Sequence, residues 1–129
     1  ICKNKFLTDE SFNNSLKYIF KNINDFCLFI GTHNEKSNLL AVKLMQIEKI
    51  ENSSDKVWFS QLYGMSDNIS FLLAKKGYNV AKLIPFGPVK EVIPYLMRRI
   101  EENTSISEQT NRELSLIRKE IERRKKSKS

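Results

Sequence analysis

Cysteine, histidine and long apolar runs are scarce in this sequence, and each scarcity removes a class of function. There are two cysteines among 129 residues, Cys2 and Cys27, and neither sits in a CxxC pair or beside a second cluster of metal-type ligands. That argues against a metal site and fits a reducing compartment. Cys27 lies within the apolar run Phe-Cys-Leu-Phe-Ile at 26–30 and reads as a small hydrophobe packed in a core. The single histidine, His33, has no serine or aspartate partner at a recognisable spacing, so a hydrolytic triad is rejected. Apolar runs extend only a few residues, whereas a bilayer span needs roughly 20. No transmembrane helix is expected, and no signal peptide is visible. The chain opens on Ile1 rather than Met and reads as lacking its N-terminus, where a signal could have lain.

What is present describes a globular protein. The hydrophobic share is 40% and the charged share 29%, and the length suits one ordinary domain. Net charge is +7. From position 104 to 129, eight Lys and Arg against four Glu give +4, so more than half of the excess sits in the tail. A basic tail of this kind reads as a solvated end before it reads as a binding surface.

Apolar positions Phe12, Leu16, Ile19, Phe20 and Ile23 recur at spacings of three and four. They predict an amphipathic helix capped by Thr8 or Asp9. The run 26–30 ends at Gly31 and suits a strand buried on both faces, as in a parallel sheet. The pattern then repeats. A helix is expected from Glu35 to about Ile50, a strand over 57–62, and a helix over 67–76 closed by Gly77 as its C′ residue. A third strand spans 78–84 and stops at Pro85. Pro88 suits the first position of a further helix, which runs to about Asn103 and must be interrupted or restarted at Pro94. A tail helix over 106–124 carries one narrow apolar stripe, Leu114, Ile117 and Ile121. Regular β–α alternation implies parallel strands joined by crossovers. Three such strands make a small open sheet or a slice of an eight-stranded one, with exposed edges.

Polar and aromatic residues cluster where the strands end, the place where parallel α/β folds build active sites. The clusters are Thr32-His33-Asn34, Leu62-Tyr63-Gly64-Met65 and the stretch from Leu83 to Val89. The stretches Gly31-Thr32-His33-Asn34, Phe59-Ser60-Gln61-Leu62-Tyr63-Gly64-Met65, Gly77-Tyr78-Asn79-Val80, Pro85-Phe86-Gly87-Pro88-Val89 and Pro94-Tyr95-Leu96-Met97-Arg98-Arg99-Ile100-Glu101-Glu102-Asn103 keep the order and approximate spacing of one family. The sequence resembles the FAD-dependent proline dehydrogenases from about Asp25 to Asn103. Any single stretch is a weak signal; five in order are a strong one.

The resemblance implies an α/β fold in which residues 1–103 form the last three βα units of a (βα)8 barrel, and residues 104–129 form a basic helical tail. It implies a non-covalent FAD and oxidation of L-proline to 1-pyrroline-5-carboxylate, with electrons passed to a quinone or other acceptor and peripheral contact with a membrane. The family's Lys, Asp and Arg on earlier strands would lie in a missing N-terminal half. By resemblance Arg98 and Arg99 bind the carboxylate of proline, for which planar guanidinium forks are matched. Tyr95 and Leu62 lie near the substrate ring. Leu83 stands where many members have Tyr, which opens the choice between proline and hydroxyproline. Thr32, His33 and Asn34 resemble flavin-contacting residues, and Glu102 is placed to pair with either arginine on the cofactor side.

Bland readings stand beside each of these: an exposed basic pair, a half-buried tyrosine, a loop histidine, a surface ion pair. Two other readings of the molecule remain, an inactive remnant or separate subunit of such an enzyme, and a basic nucleic-acid-binding module. The second lacks any recognition motif, and nucleic acid is not expected as a partner. The tail resembles bacterial members, which implies a cytoplasmic protein peripheral to the inner membrane; a eukaryotic source would imply the mitochondrion.

Overall fold

The computed structural model describes residues 4–104 and 107–126, with side chains at 4–101 and 114–126. Its elements alternate from the first helix to the last strand: α1 (Lys5–Lys21), a 3-10 turn (Ile23–Asp25), β1 (Leu28–Gly31), α2 (Glu35–Ile47), β2 (Val57–Leu62), α3 (Asp67–Lys75) and β3 (Val80–Leu83). Two helices follow, α4 (Val89–Thr104) and α5 (Ser107–Lys126). The three strands form one parallel sheet in the order β1-β2-β3. The chain divides into two compact units, Ile1–Leu83 and Ile84–Ser129.

Strand pairing sorts the sheet residues by face, because paired residues in a parallel sheet point the same way and neighbours along a strand point oppositely. Leu28 pairs with Val57, and Ile30 with Phe59, which in turn pairs with Val80. This face packs with Leu16 and Phe20 of α1, Ala41 and Met45 of α2, and Ile69 and Leu73 of α3. Tyr78 closes the core edge-on to Phe59, ring centroids 5.6 Å apart. Burying one such side chain contributes about 1.5–3 kcal/mol, so this cluster dominates the unit's stability.

Tyr78 reaches the core because the chain reverses at Gly77. Gly77, at φ +82, donates its N–H to the carbonyl of Ala74 at 3.0 Å, and Tyr78 donates to that of Leu73 at 3.1 Å. The pair is a Schellman ending of α3, and the positive φ is why glycine stands there.

The structure corrects five sequence expectations. The cap of α1 is Asn4, whose Oδ1 accepts from the N–H of Leu7 at 2.9 Å, and Thr8 lies one turn inside the helix. Cys27 is exposed rather than packed. Strand β1 is buried on one face only: Ile30 is buried, while Phe29 on the other face is 60% exposed. Pro88 stands just before α4, with its carbonyl accepting from Glu91 and Val92, rather than at the first helical position. Pro94 neither interrupts nor restarts α4, which runs through it. One absent N–H removes a single hydrogen bond in the second turn, and the remaining ladder carries the helix past it. Ile106, where the tail helix was expected to begin, lies outside the described residues.

Candidate active site

In the first unit the polar loop Thr32-His33-Asn34 leaves the C-terminal end of β1 and enters α2. Asn34 is the N-cap of α2, with Oδ1 accepting from the N–H of Lys36 at 2.9 Å and of Ser37 at 3.4 Å. The Thr32 hydroxyl accepts from the N–H of Asn34 at 3.1 Å. The Thr32 carbonyl receives two side-chain amides, from Asn38 at 3.2 Å and from Gln61 at 3.3 Å. Gln61 is itself held by the Ser70 hydroxyl, which donates to its Oε1 at 2.7 Å. Asn38, Gln61 and Ser70 are all buried. Their side-chain hydrogen bonds tie the ends of β1 and β2 to the first turns of α2 and α3.

His33 joins this frame through its ring. Its Nδ1 lies 2.9 Å from the hydroxyl of Ser66, the buried residue before α3. Burial first, and the nearby Lys82 ammonium second, lower the His33 pKa below its ordinary value. Lys82 donates to the carbonyl of Met65 and pairs with Asp67, both at 2.7 Å. Leu62 and Leu83 are register partners at the ends of β2 and β3, and the N–H of Tyr63 donates to the Leu83 carbonyl at 2.9 Å. Both leucines lie on the face opposite the helix-covered one; Leu62 is buried and Leu83 exposed. Thus five of the nine sequence-derived site residues, Thr32, His33, Asn34, Leu62 and Leu83, lie at strand ends of one sheet.

In the second unit the segment 95–99 lies on α4. The Arg99 guanidinium sits over the Tyr95 ring, 5.2 Å from its centroid. Residues four apart face each other on a helix, so this stack follows directly from the spacing. Arg98, turned by about 100° from its neighbour, is exposed. The side chain of Glu102 lies outside the described residues.

A family model described as proline dehydrogenase matches residues 1–112. The chain belongs to the proline dehydrogenase family. Proline dehydrogenase 1, mitochondrial, of Dictyostelium discoideum is 40% identical over 122 residues, covering 91% of this chain and 21% of that protein. Hydroxyproline dehydrogenase of Xenopus laevis is 43% identical over 97 residues, covering 75% and 21%. Carbapenem antibiotics biosynthesis protein CarD of Pectobacterium carotovorum subsp. carotovorum is 38% identical over 117 residues, covering 91% and 30%. The chain therefore spans between about a fifth and a third of the length of these relatives. No solved structure matches it.

Sequence reasoning missed Ser66, Asn38, Ser70 and Lys82 as supports of the site. Gln61 carried a usable signal, an amide inside the otherwise apolar strand Val-Trp-Phe-Ser-Gln-Leu. A buried amide at the end of a strand calls for a specific partner.

Proposed function

We propose that the whole protein oxidises L-proline to 1-pyrroline-5-carboxylate with FAD, and that the described residues supply part of the substrate and cofactor pocket. The observation that carries this is the Tyr95–Arg99 stack, with Arg98 beside it, in a member of the proline dehydrogenase family. A guanidinium has the planar fork that matches a carboxylate, and two arginines on successive positions approach that carboxylate from different sides. Leu62 and the adjacent Leu83 offer an apolar surface to the pyrrolidine ring. Neither can hydrogen-bond a ring hydroxyl, which favours the unsubstituted ring.

The loop 32–34 fits a flavin cofactor by the groups it has left to offer. Asn34 spends its carbonyl oxygen on the α2 cap, so its amide can offer a ligand only donors. The Thr32 oxygen already accepts from Asn34, which leaves its hydroxyl hydrogen to donate. A set of donors suits the oxygen-rich phosphates and carbonyls of FAD. When bound, FAD supplies the acceptor for the hydride lost from the ring carbon next to nitrogen. The protein's part is to fix proline by its carboxylate and to hold its ring. Glu102, one turn beyond Arg98, belongs to the cofactor side of the same reading. So do residues 1–103 as the last three units of a (βα)8 barrel, with 104–129 as a tail. The reoxidising partner is a quinone or another acceptor, met at a membrane surface. Relatives named as mitochondrial support that location for a eukaryotic source.

The test is substrate affinity in the full-length protein. Arg98→Lys and Arg99→Lys keep the charge and lose the fork. Each should weaken proline binding by roughly 10- to 100-fold, the worth of about 1.5–3 kcal/mol in charged hydrogen bonds. FAD content should stay unchanged. Unaltered proline affinity in both variants would remove the arginines from the substrate site.

A further inference from the structure

Ser66 holds a backbone conformation that serine seldom adopts. Its φ is 51° and ψ 39°, in the left-handed region, at the position preceding α3. A serine at a helix start ordinarily takes extended backbone and turns its oxygen onto the first-turn N–H groups. Here the hydroxyl makes no such bond. It is buried, and among the described residues its partner is Nδ1 of His33 at 2.9 Å. Both ends of that contact are tied into one hydrogen-bonded frame. Asn38 and Gln61 hold the Thr32 carbonyl just before His33. Ser70 binds Gln61 through its hydroxyl and the Ser66 carbonyl through its N–H at 3.1 Å.

We infer that Ser66 is a positioning residue for His33: its hydroxyl donates to Nδ1, which fixes the ring plane and places the ring proton on Nε2. The direction follows from counting hydrogens. If Nδ1 carried the proton, it would donate to the serine oxygen, and the buried hydroxyl hydrogen would have no acceptor. Buried donors are almost always satisfied, so the opposite arrangement holds. A doubly protonated ring is disfavoured for the same reason, and also by burial and by the Lys82 ammonium, whose own partner is Asp67. The hydrogen on Nε2 gives His33 the donor character that Thr32 and Asn34 bring to a flavin. That last step rests on the proposed flavin role of the loop.

In the full-length protein, the ring-nitrogen signals of His33 in a long-range 1H–15N correlation are those lost in His33→Ala. Above the ring's titration, the expected signature is one tautomer with an unprotonated Nδ1. Ser66→Gly removes the hydroxyl where the backbone favours glycine, so folding is preserved. It should collapse the signature toward a mixture of tautomers. Ser66→Asn tolerates the same φ and brings an amide donor, and should retain a single tautomer. A wild-type ring protonated on Nδ1, or a pattern indifferent to Ser66→Gly, overturns the inference. FAD retention in His33→Ala separates the two readings. Unchanged retention beside a shifted tautomer in Ser66→Gly sinks the flavin role and leaves the ring-holding role standing.

Discussion

A histidine half-buried beside an ammonium group gives up its proton early. His33 has its folded pKa depressed below the ordinary 6.5, by burial first and Lys82 second. The linkage has one sign. Above 6.5 both folded and unfolded chains hold a neutral ring, and the full stability is present. As pH falls below 6.5 the unfolded chain takes up a proton that the folded ring declines, so stability falls until the folded pKa is reached. Urea unfolding at pH 7.5 and 5.5 should therefore show a loss in the wild type that is reduced in His33→Asn. An equal loss in both would mean that the ring is not shielded. The polar loop itself was legible in the sequence, because hydroxyl, imidazole and amide follow an apolar strand without interruption. Its internal commitments were not. The partners that hold Thr32 and His33, Gln61 and Ser66, come from 29 and 33 residues further along the chain. No local pattern encodes such a contact. Asn34 shows the same limit at short range: an Asn before a helix is a cap by spacing, and family resemblance drew attention to its ligand role instead.

At the level of elements, periodicity carried most of the information, and the errors have physical causes. The apolar stripe of α1 begins in earnest at Phe12, whereas Phe6 at its start is 74% exposed and so contributes nothing to the stripe. Two good capping residues, Asn4 and Thr8, stand one turn apart, and only the folded backbone decides between them. The end of α3 was readable because Gly77 is required by a positive φ. An apolar run such as 26–30 looks the same whether one face of the strand is covered or two. Pro94 forfeits one hydrogen bond, whereas α4 extends for ten residues beyond it. The helix still bears a cost there. Replacing Pro94 by alanine restores one backbone hydrogen bond and removes a ring clash with the preceding turn, a gain of up to about 3 kcal/mol for the helix. Pro94→Ala should raise the far-ultraviolet helical signal and the melting temperature together. No change in either would show that the ring sits in α4 without strain.

For the molecule as a whole, the decisive feature is a three-stranded sheet whose second face is incompletely covered. Phe29 and Leu83 on that face are 60% and 52% exposed, and β1 and β3 are both edge strands. Trp58, the only tryptophan, pairs with Phe29 on the same face and is 38% exposed. Apolar surface beside unpaired backbone groups is a template for association. In the barrel of the proposed whole enzyme the same face would point inward and be covered by the other strands. Two outcomes follow for the purified 129-residue chain. It should not reduce FAD with proline, since three parallel strands cannot close a pocket around substrate and cofactor. It should also self-associate with rising concentration, with Trp58 emission shifting to the blue as the face is covered. Phe29→Lys puts a charge on the edge strand and should hold the chain monomeric to higher concentration, as read by sedimentation velocity. A lysine variant that associates as readily as the wild type would mean that the contact lies elsewhere. Flavin reduction by the purified chain would mean that the pocket is complete within these residues.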